Sequence, residues 1–379
     1  MATQIKSPER GLAEKLGALR WSLVLLLALI GGIGCAVLYS AGGGSAQPWA
    51  IRHGVRLLVG IGIMLLLAMG SVRFWFRWSY AIYAVTLLLL LAVEIMGEIS
   101  KGAERWIDLG FMQLQPSELM KIALVLALAR YFHSAWLEEV RNPLYLVPPL
   151  LLIALPAILV LKQPDLGTAV TLLAIGGIFL FLAGVRLWKF ALAIGLGGAA
   201  LPVIWGAMHG YQRRRVLTFL NPESDPLGSG YHIIQSKIAL GSGGFWGKGY
   251  LQGTQAQLSF LPEKQTDFAF TMLAEETGFV GATVTLGLYF LALALALSVA
   301  LRASHQFGRL AAMGIGMNFF LYIVINVAMV TGLIPVVGVP LPLISYGGTA
   351  MLTVMVGFGI LLCIDVNAQA QIPRFPTEL

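Results

Sequence analysis

The chain has 379 residues, of which 58% are hydrophobic and only 11% charged, and it carries a formal net charge of +7. Its mean hydropathy is +0.82. A composition this oily excludes a pair of ordinary water-soluble domains, and it points the basic excess toward a membrane rather than a nucleic acid.

The first twenty residues carry Lys6, Arg10, Lys15 and Arg20. This flank reads either as a short amphipathic helix on an anionic leaflet or as a solvated tail. Apolar runs then recur at 21–40, 51–69, 79–96, 117–132, 145–161, 168–183, 189–208, 277–300, 310–332 and 347–364. Each is close to the roughly 20 residues that a spanning helix needs. The runs are continuous rather than alternating, and a backbone in hydrocarbon must satisfy its own polar groups, so they predict helices. The expected fold is an all-α integral membrane protein with about ten transmembrane helices, forming one polytopic domain over 1–379. The first run is longer than a signal-peptide core, and no small-x-small cleavage site stands out after it. Cys35 and Cys363 fall at opposite depths, which argues against a disulfide.

Placing the N-terminus inside puts Arg73, Arg77, Arg130, Arg141, Arg186, Lys189, Arg302 and Arg309 in short inner connections. Fewer basic residues then fall in the short outer ones, as the positive-inside rule requires. Both termini, including the tail 365–379, are therefore expected in the cytoplasm of a cell whose inner membrane holds the chain. The long segment 209–266, between spans 7 and 8, is expected outside as a loop without evident helices, rich in glycine and aromatic residues.

Polar residues gather in the outer connections. Pro116 and Ser117 read as a helix start, and Glu118 and Lys121 share one face of that helix at i and i+3. They are either a structural ion pair or part of a cavity. Asp165 follows Gln163 and Pro164 and is suited to cap span 6, to serve a site, or both. Arg213, Arg214 and Arg215 could anchor to lipid phosphates or guide an anionic substrate. The stretch GSGGFWGKG, 241–249, is not a Walker A loop, because Ser242 and Gly249 stand where Gly and Ser/Thr are required. His232 has no second His or Cys at zinc-ligand spacing. The stretch FLPEKQTDFAFTMLAEETGFVG, 260–281, places Glu263, Asp267, Glu275 and Glu276 where a polar loop re-enters an apolar helix. Asp267 stands at the mouth of that helix, either as its cap or as a functional acid. Glu275 and Glu276 are expected in its first turns, favoured by the helix dipole.

Taken together and in order, GAERWIDLG…QPSELMK, QPDLGTA, GYHIIQSKIALGSGGFWGKG, FLPEKQTDFAFTMLAEETGFVG and PLPLISYGG resemble the SEDS proteins (shape, elongation, division and sporulation). The nearest branch looks like the elongation branch rather than the division branch. The resemblance implies a peptidoglycan glycosyltransferase that polymerises lipid II into glycan strands, with inversion at the sugar, on the outer face of the cytoplasmic membrane. It implies a class B penicillin-binding protein as crosslinking partner. By similarity Asp267 matches the catalytic aspartate, and Glu118, Lys121 and Asp165 match polar cavity positions.

The chemistry is compatible with that resemblance. Nucleotide sugars are absent outside the cell, so a transferase there needs a donor such as a polyprenyl pyrophosphate sugar. Partial burial would raise the Asp267 pKa toward that of a useful base. Lys121, Arg105, Lys248 and Arg213–Arg215 are candidates to stabilise the departing pyrophosphate. A divalent cation, Mg or Mn, could share that task, although no dedicated metal motif is present. A lipid II flippase and a non-catalytic scaffold of the wall-synthesis complex remain the alternatives. Small residues on span 9 (Gly308, Ala311, Ala312, Gly314, Gly316) and span 8 (Ala282, Gly287, Ala292, Ala294, Ala296) would suit close helix packing. They pack either within the bundle or against the partner's single membrane helix, and the resemblance favours the partner.

Overall fold

A computed structural model describes residues 11–373, except 97, 101–102, 109–112, 164, 208–209, 222–228 and 258–262. Its helices are α1 (Leu12–Ala18), α2 (Trp21–Ala41), α3 (Ala50–Ala68), α4 (Val72–Met96), α5 (Pro116–Tyr131), α6 (Leu137–Arg141), α7 (Val147–Lys162), α8 (Leu166–Leu182), α9 (Leu187–Ala207), α10 (Gly210–Leu220), α11 (Ser229–Ser242), α12 (Thr254–Gln257), α13 (Ala269–Arg302), α14 (Gln306–Val330) and α15 (Gly348–Val366). All ten expected spans fold as helices, namely α2–α5, α7–α9 and α13–α15. Seven helical stretches are long and apolar enough by themselves to cross a membrane, and Leu166–Leu182 and Leu187–Ala200 are shorter apolar helices. The chain is a multi-pass membrane protein.

The helix α5 is short and carries charges, yet it is buried almost all round, from Pro116 to Ala129. It packs against α4, α7, α8, α14 and α15, and α15 lies along α3. Protein rather than lipid therefore surrounds it, which is why its charges are tolerated at membrane depth. The helix α9 stands apart: Leu192, Ile194 and Leu196 are exposed, and no other helix packs extensively on it.

Three local predictions need correction. The outer connection before α5 is a small antiparallel sheet, β1 (Glu98–Ser100), β2 (Ala103–Asp108) and β3 (Gln113–Leu114), in the order β1-β2-β3. The segment 209–266 is helical over α10–α12 rather than a plain loop. In α11 the buried residues Ile233, Ser236 and Ala239 recur at helical spacing and pack on α13 and α14. That stripe is short and half polar, so it fails as a span signal. The helix α13 begins at Ala269, earlier than expected, because two helical pieces meet across Gly278, whose φ is +69°.

The two ends of the chain are tied together. Arg20 donates from Nε and Nη2 to the two Asp365 carboxylate oxygens at 3.1 and 3.0 Å. Lys15 Nζ donates to the Met69 carbonyl at 2.9 Å. The described part of the flank, 11–20, thus contains a short helix docked on protein through Lys15, with Arg20 adding a second tie just after it. The starts of α1 and α2 and the end of α15 share one membrane face, as an even number of spans demands.

The connection 331–347 between α14 and α15 is exposed at Leu333 and Gly338 but runs into the bundle over 341–345. Leu341, Leu343, Ile344 and Ser345 are buried. Leu341 N–H donates to Ser345 Oγ at 2.9 Å, and Ser345 N–H to the Leu341 carbonyl at 3.0 Å. Gly34 of α2 meets this loop directly. A Cβ there would overlap the Leu343 carbonyl oxygen and lie 2.8 Å from Ile344 Cα. Gly34→Val should therefore lower the melting temperature in detergent and cost at least about 1–3 kcal/mol, as overpacking does. Gly32→Val, where a Cβ would meet nothing within 4 Å, should leave the melting curve near wild type; equal curves for the two variants would contradict this packing.

Candidate active site

Asp267 lies in the turn that leads into α13. The turn is closed by Thr266 N–H donating to the Glu263 carbonyl at 3.0 Å and Thr266 Oγ1 to Glu263 Oε2 at 3.2 Å. The N-cap of α13 is Phe268, with no side-chain cap bond, so Asp267 is not the cap of that helix. Its side chain is partly buried. Its Oδ2 faces Gly338, where a Cβ would come within 3.4 Å. Gly338 has a φ of +73°, so a glycine suits both the backbone and the approach. Asn326 Nδ2 donates to the Asp267 carbonyl at 3.0 Å and to the Val339 carbonyl at 2.7 Å. One amide thereby pins the acid's backbone to the 331–347 loop. Tyr346 N–H donates to the Gln265 carbonyl at 2.7 Å and adds a second tie. Nearby, burial holds the Lys264 ammonium below the ordinary lysine range.

A second polar cluster centres on α5. Lys121 Nζ lies 2.6 Å from Glu118 Oε1, with both residues buried, as their i,i+3 spacing predicts. Tyr322 of α14 donates its hydroxyl to Glu118 Oε2. Lys121 Nζ sits 4.1 Å from the centre of the Tyr322 ring. Both charges are satisfied inside the bundle. Asp165 Oδ1 accepts from Thr168 N–H at 3.1 Å and Oδ2 from Thr168 Oγ1 at 2.9 Å, which caps α8. Gln115 Nε2 reaches Asp165 Oδ2 at 3.4 Å. The capping expectation for Asp165 is met.

Of the cations expected at a leaving group, Lys121, Lys248 and Arg213 have protein partners. Lys121 is committed to Glu118. Lys248 Nζ donates to Glu275 Oε1 and to Thr254 Oγ1, both at 2.7 Å, and Glu275 is fully buried. The Gly-rich segment lies across the break in α13. Lys248 and Gly249 N–H groups donate to the Glu275 and Glu276 carbonyls at 3.1 and 3.0 Å, and Phe279 N–H donates to the Gly244 carbonyl at 2.9 Å. Glu275 and Glu276 lie in the early turns of α13, as expected, and are buried just before the break; Ser40 donates to Glu276. Arg213 donates to the Trp205 and Gly206 carbonyls at 2.9 and 2.6 Å, closing the end of α9. The side chains of Arg105, Arg214 and Arg215 lie outside the described residues. Among the described residues no group of three or more His, Cys, Asp and Glu could hold a metal.

Sequence reasoning missed Tyr322 and Asn326, although a signal existed. Asn318, Tyr322 and Asn326 recur every fourth residue in an otherwise apolar span, which places them on one face. All three are buried. The expected docking stripe on α14 also points inward: Ala311 and Ala312 are buried, and a Cβ at Gly314 would overlap the Phe179 ring of α8.

The ion pair makes a quantitative prediction. Lys121→Met should strand a buried carboxylate and cost about 3–5 kcal/mol. The double variant Glu118→Gln, Lys121→Met should cost markedly less. Thermal melting in detergent checks this, and equal losses for the single and double variants would count against a mutually compensating pair.

Comparison with known proteins places this architecture. The pattern of the FtsW/RodA/SpoVE cell cycle proteins matches residues 18–370. Peptidoglycan glycosyltransferase MrdB of Escherichia coli K12 is 46% identical over 348 residues, covering 91% of this chain and 92% of that one. Probable peptidoglycan glycosyltransferase FtsW of Trichlorobacter lovleyi is 39% identical over 363 residues, covering 92% and 93%. In structure, the chain resembles one from a peptidoglycan synthase complex that coordinates polymerization and crosslinking, with a TM-score of 0.79, 35% identity and coverage of 93% and 99%. It also resembles the rod shape determining protein RodA of Thermus thermophilus, with a TM-score of 0.70, 30% identity and coverage of 93% and 98%. The chain belongs to the FtsW/RodA/SpoVE family of cell cycle proteins, the SEDS proteins.

Proposed function

We propose that this protein polymerises lipid II into peptidoglycan glycan strands at the outer face of the cytoplasmic membrane during wall elongation, with Asp267 as the catalytic base. The observation that carries this reading is the placement of Asp267 in the turn at the head of α13, partly buried, its backbone carbonyl held by Asn326 and its carboxylate facing Gly338. The acceptor hydroxyl oxygen attacks the anomeric carbon of the donor sugar while its proton passes to Asp267. The carbon–oxygen bond to the pyrophosphate breaks, and its electron pair leaves with the pyrophosphate. The sugar inverts. A pyrophosphate needs no strong acid to depart, so one base and nearby positive charge suffice. Mg or Mn fits this arrangement with Asp267 and substrate phosphates as ligands, because such ions use one or two carboxylates plus phosphates. When bound, the ion would supply charge neutralisation at the pyrophosphate.

The weak packing of α9 supports lateral entry of a lipid-linked donor. The MrdB and RodA similarities support the elongation branch. The transport alternative needs charges that can line a path, yet Glu118 and Lys121 are sealed at 4% and 2% exposure and satisfy each other. A class B penicillin-binding protein is the proposed partner. Its membrane helix fits the exposed side of α13, where Gly287 and Ala294 face outward, rather than α14.

Asp267→Asn should abolish glycan polymer from labelled lipid II on a gel while the protein remains monodisperse with a wild-type melting curve. Retained polymerisation would remove Asp267 from the chemistry. The orientation has its own check. A cysteine at exposed Ser242, in a background lacking Cys35 and Cys363, should react with an impermeant maleimide in intact spheroplasts; labelling only after lysis would invert the topology.

A further inference from the structure

Lys121 and Lys248 are paired with carboxylates, and one further cation lies close to the loop that faces Asp267. The cation is Arg56. It lies in α3, half-buried, three residues from the buried His53, whose Nε2 contacts the Leu343 carbonyl at 2.9 Å. Its guanidinium carbon sits 4.8 Å from the centre of the Tyr346 ring. It also lies against Gly348: a Cβ there would come within 3.1 Å of that carbon. Among the described residues it has no ion-pair partner.

A cation stacked flat on an aromatic ring is held in place while the N–H groups on its edge stay available. A half-buried charge in a spanning helix that finds no counter-charge among the described residues is a candidate ligand group, because intramembrane ionisable residues tend to mark functional sites. The backbone relates Arg56 to the catalytic acid. The residue beneath the guanidinium, Tyr346, donates its N–H to Gln265, two positions before Asp267. On the other limb of the same loop, Gly338 faces the Asp267 carboxylate. Base and cation thus both lie against the connection between α14 and α15. In-line displacement uses a base and a cation at separate points of one site, because the leaving oxygen departs on the side of the anomeric carbon opposite the attacking oxygen.

We infer that Arg56, presented on Tyr346, binds the pyrophosphate of the polyprenyl-linked donor across the site from Asp267. Bidentate hydrogen bonds from a guanidinium to phosphate oxygens suit the charge that grows as the bond breaks. The inference rests on the polymerase reading above, and its test is separable from that reading because it measures binding without turnover.

The probe is farnesyl pyrophosphate, titrated against the full-length protein in detergent and read by thermal shift or calorimetry. Wild type and Asp267→Asn should both bind it. Arg56→Gln should raise the dissociation constant about ten- to a hundredfold, the loss expected for a charge-assisted hydrogen bond, with its own melting curve unchanged. Arg56→Lys should bind with intermediate affinity, because it keeps charge without the fork. It also serves as the second variant should Arg56→Gln fail to fold. Farnesol should not bind comparably. Wild-type affinity in folded Arg56→Gln or Arg56→Lys would overturn the assignment, as would failure of the wild-type protein to bind the probe. Equal displacement of the probe by phosphatidylglycerol would also overturn it and make Arg56 a lipid-phosphate anchor. If wild type binds the probe through Arg56 yet makes no polymer from lipid II, the polymerase reading fails and the pyrophosphate site stands.

Discussion

The connection between α14 and α15, buried over 341–345, is the constraint on which the site depends. Irregular backbone at membrane depth is tolerated only where protein satisfies its polar groups. Here the partners come from all around the bundle. His53 of α3 contacts the Leu343 carbonyl, Tyr289 of α13 donates to the Pro342 carbonyl, and Asn326 of α14 donates to the Val339 carbonyl. Gly34 of α2 and Gly167 of α8 let the loop pass at backbone contact distance. Leu343 itself has a φ of +66°, a conformation that a bulky residue holds only when its surroundings over-determine it. The Asp267 turn is tied to this loop once directly, by Tyr346, and once through Asn326 of α14, so the acid takes its position from segments far apart in sequence.

The buried charges follow one rule. Each is matched by an opposite charge or by hydrogen bonds, because an unpaired ion at this depth costs several kcal/mol. Lys121 has Glu118, Glu275 has Lys248, and Asp365 has Arg20. These pairs brace the bundle at three places: the core at α5, the break in α13 and the tie between the two ends of the chain. A lysine so matched has little left to offer a substrate.

The break in α13 belongs to the same scheme. A spanning helix interrupted at Gly278 leaves carbonyls and N–H groups without intrahelical partners. The segment from Gly244 to Gly249 enters the gap and satisfies them from both sides. Glycines are required at the contact: a Cβ at Gly278 would overlap the Gly247 nitrogen, and one at Gly247 would overlap the Glu276 carbonyl oxygen. The motif GSGGFWGKG is therefore a brace that fixes the head of α13, and with it the approach to Asp267.

What was legible in the sequence was whatever a membrane imposes locally. Ten apolar runs each bury their own backbone as helices, so span number and approximate position follow from hydropathy alone. The Glu118–Lys121 pairing followed from i,i+3 geometry, and the capping role of Asp165 from its place before a helix. Assignments that depend on contacts between distant segments were not legible. Lys248 and Glu275 are 27 residues apart, and no local pattern says that one neutralises the other. The small residues of α14 look alike whether they face a partner or the neighbouring Phe179. Arg56 looked like a flanking charge until Tyr346, from the opposite end of the chain, was seen beneath it. Local periodicity determines which segments cross the membrane; which charges are spent on the bundle and which are left for a ligand is decided only when distant helices bring their partners together.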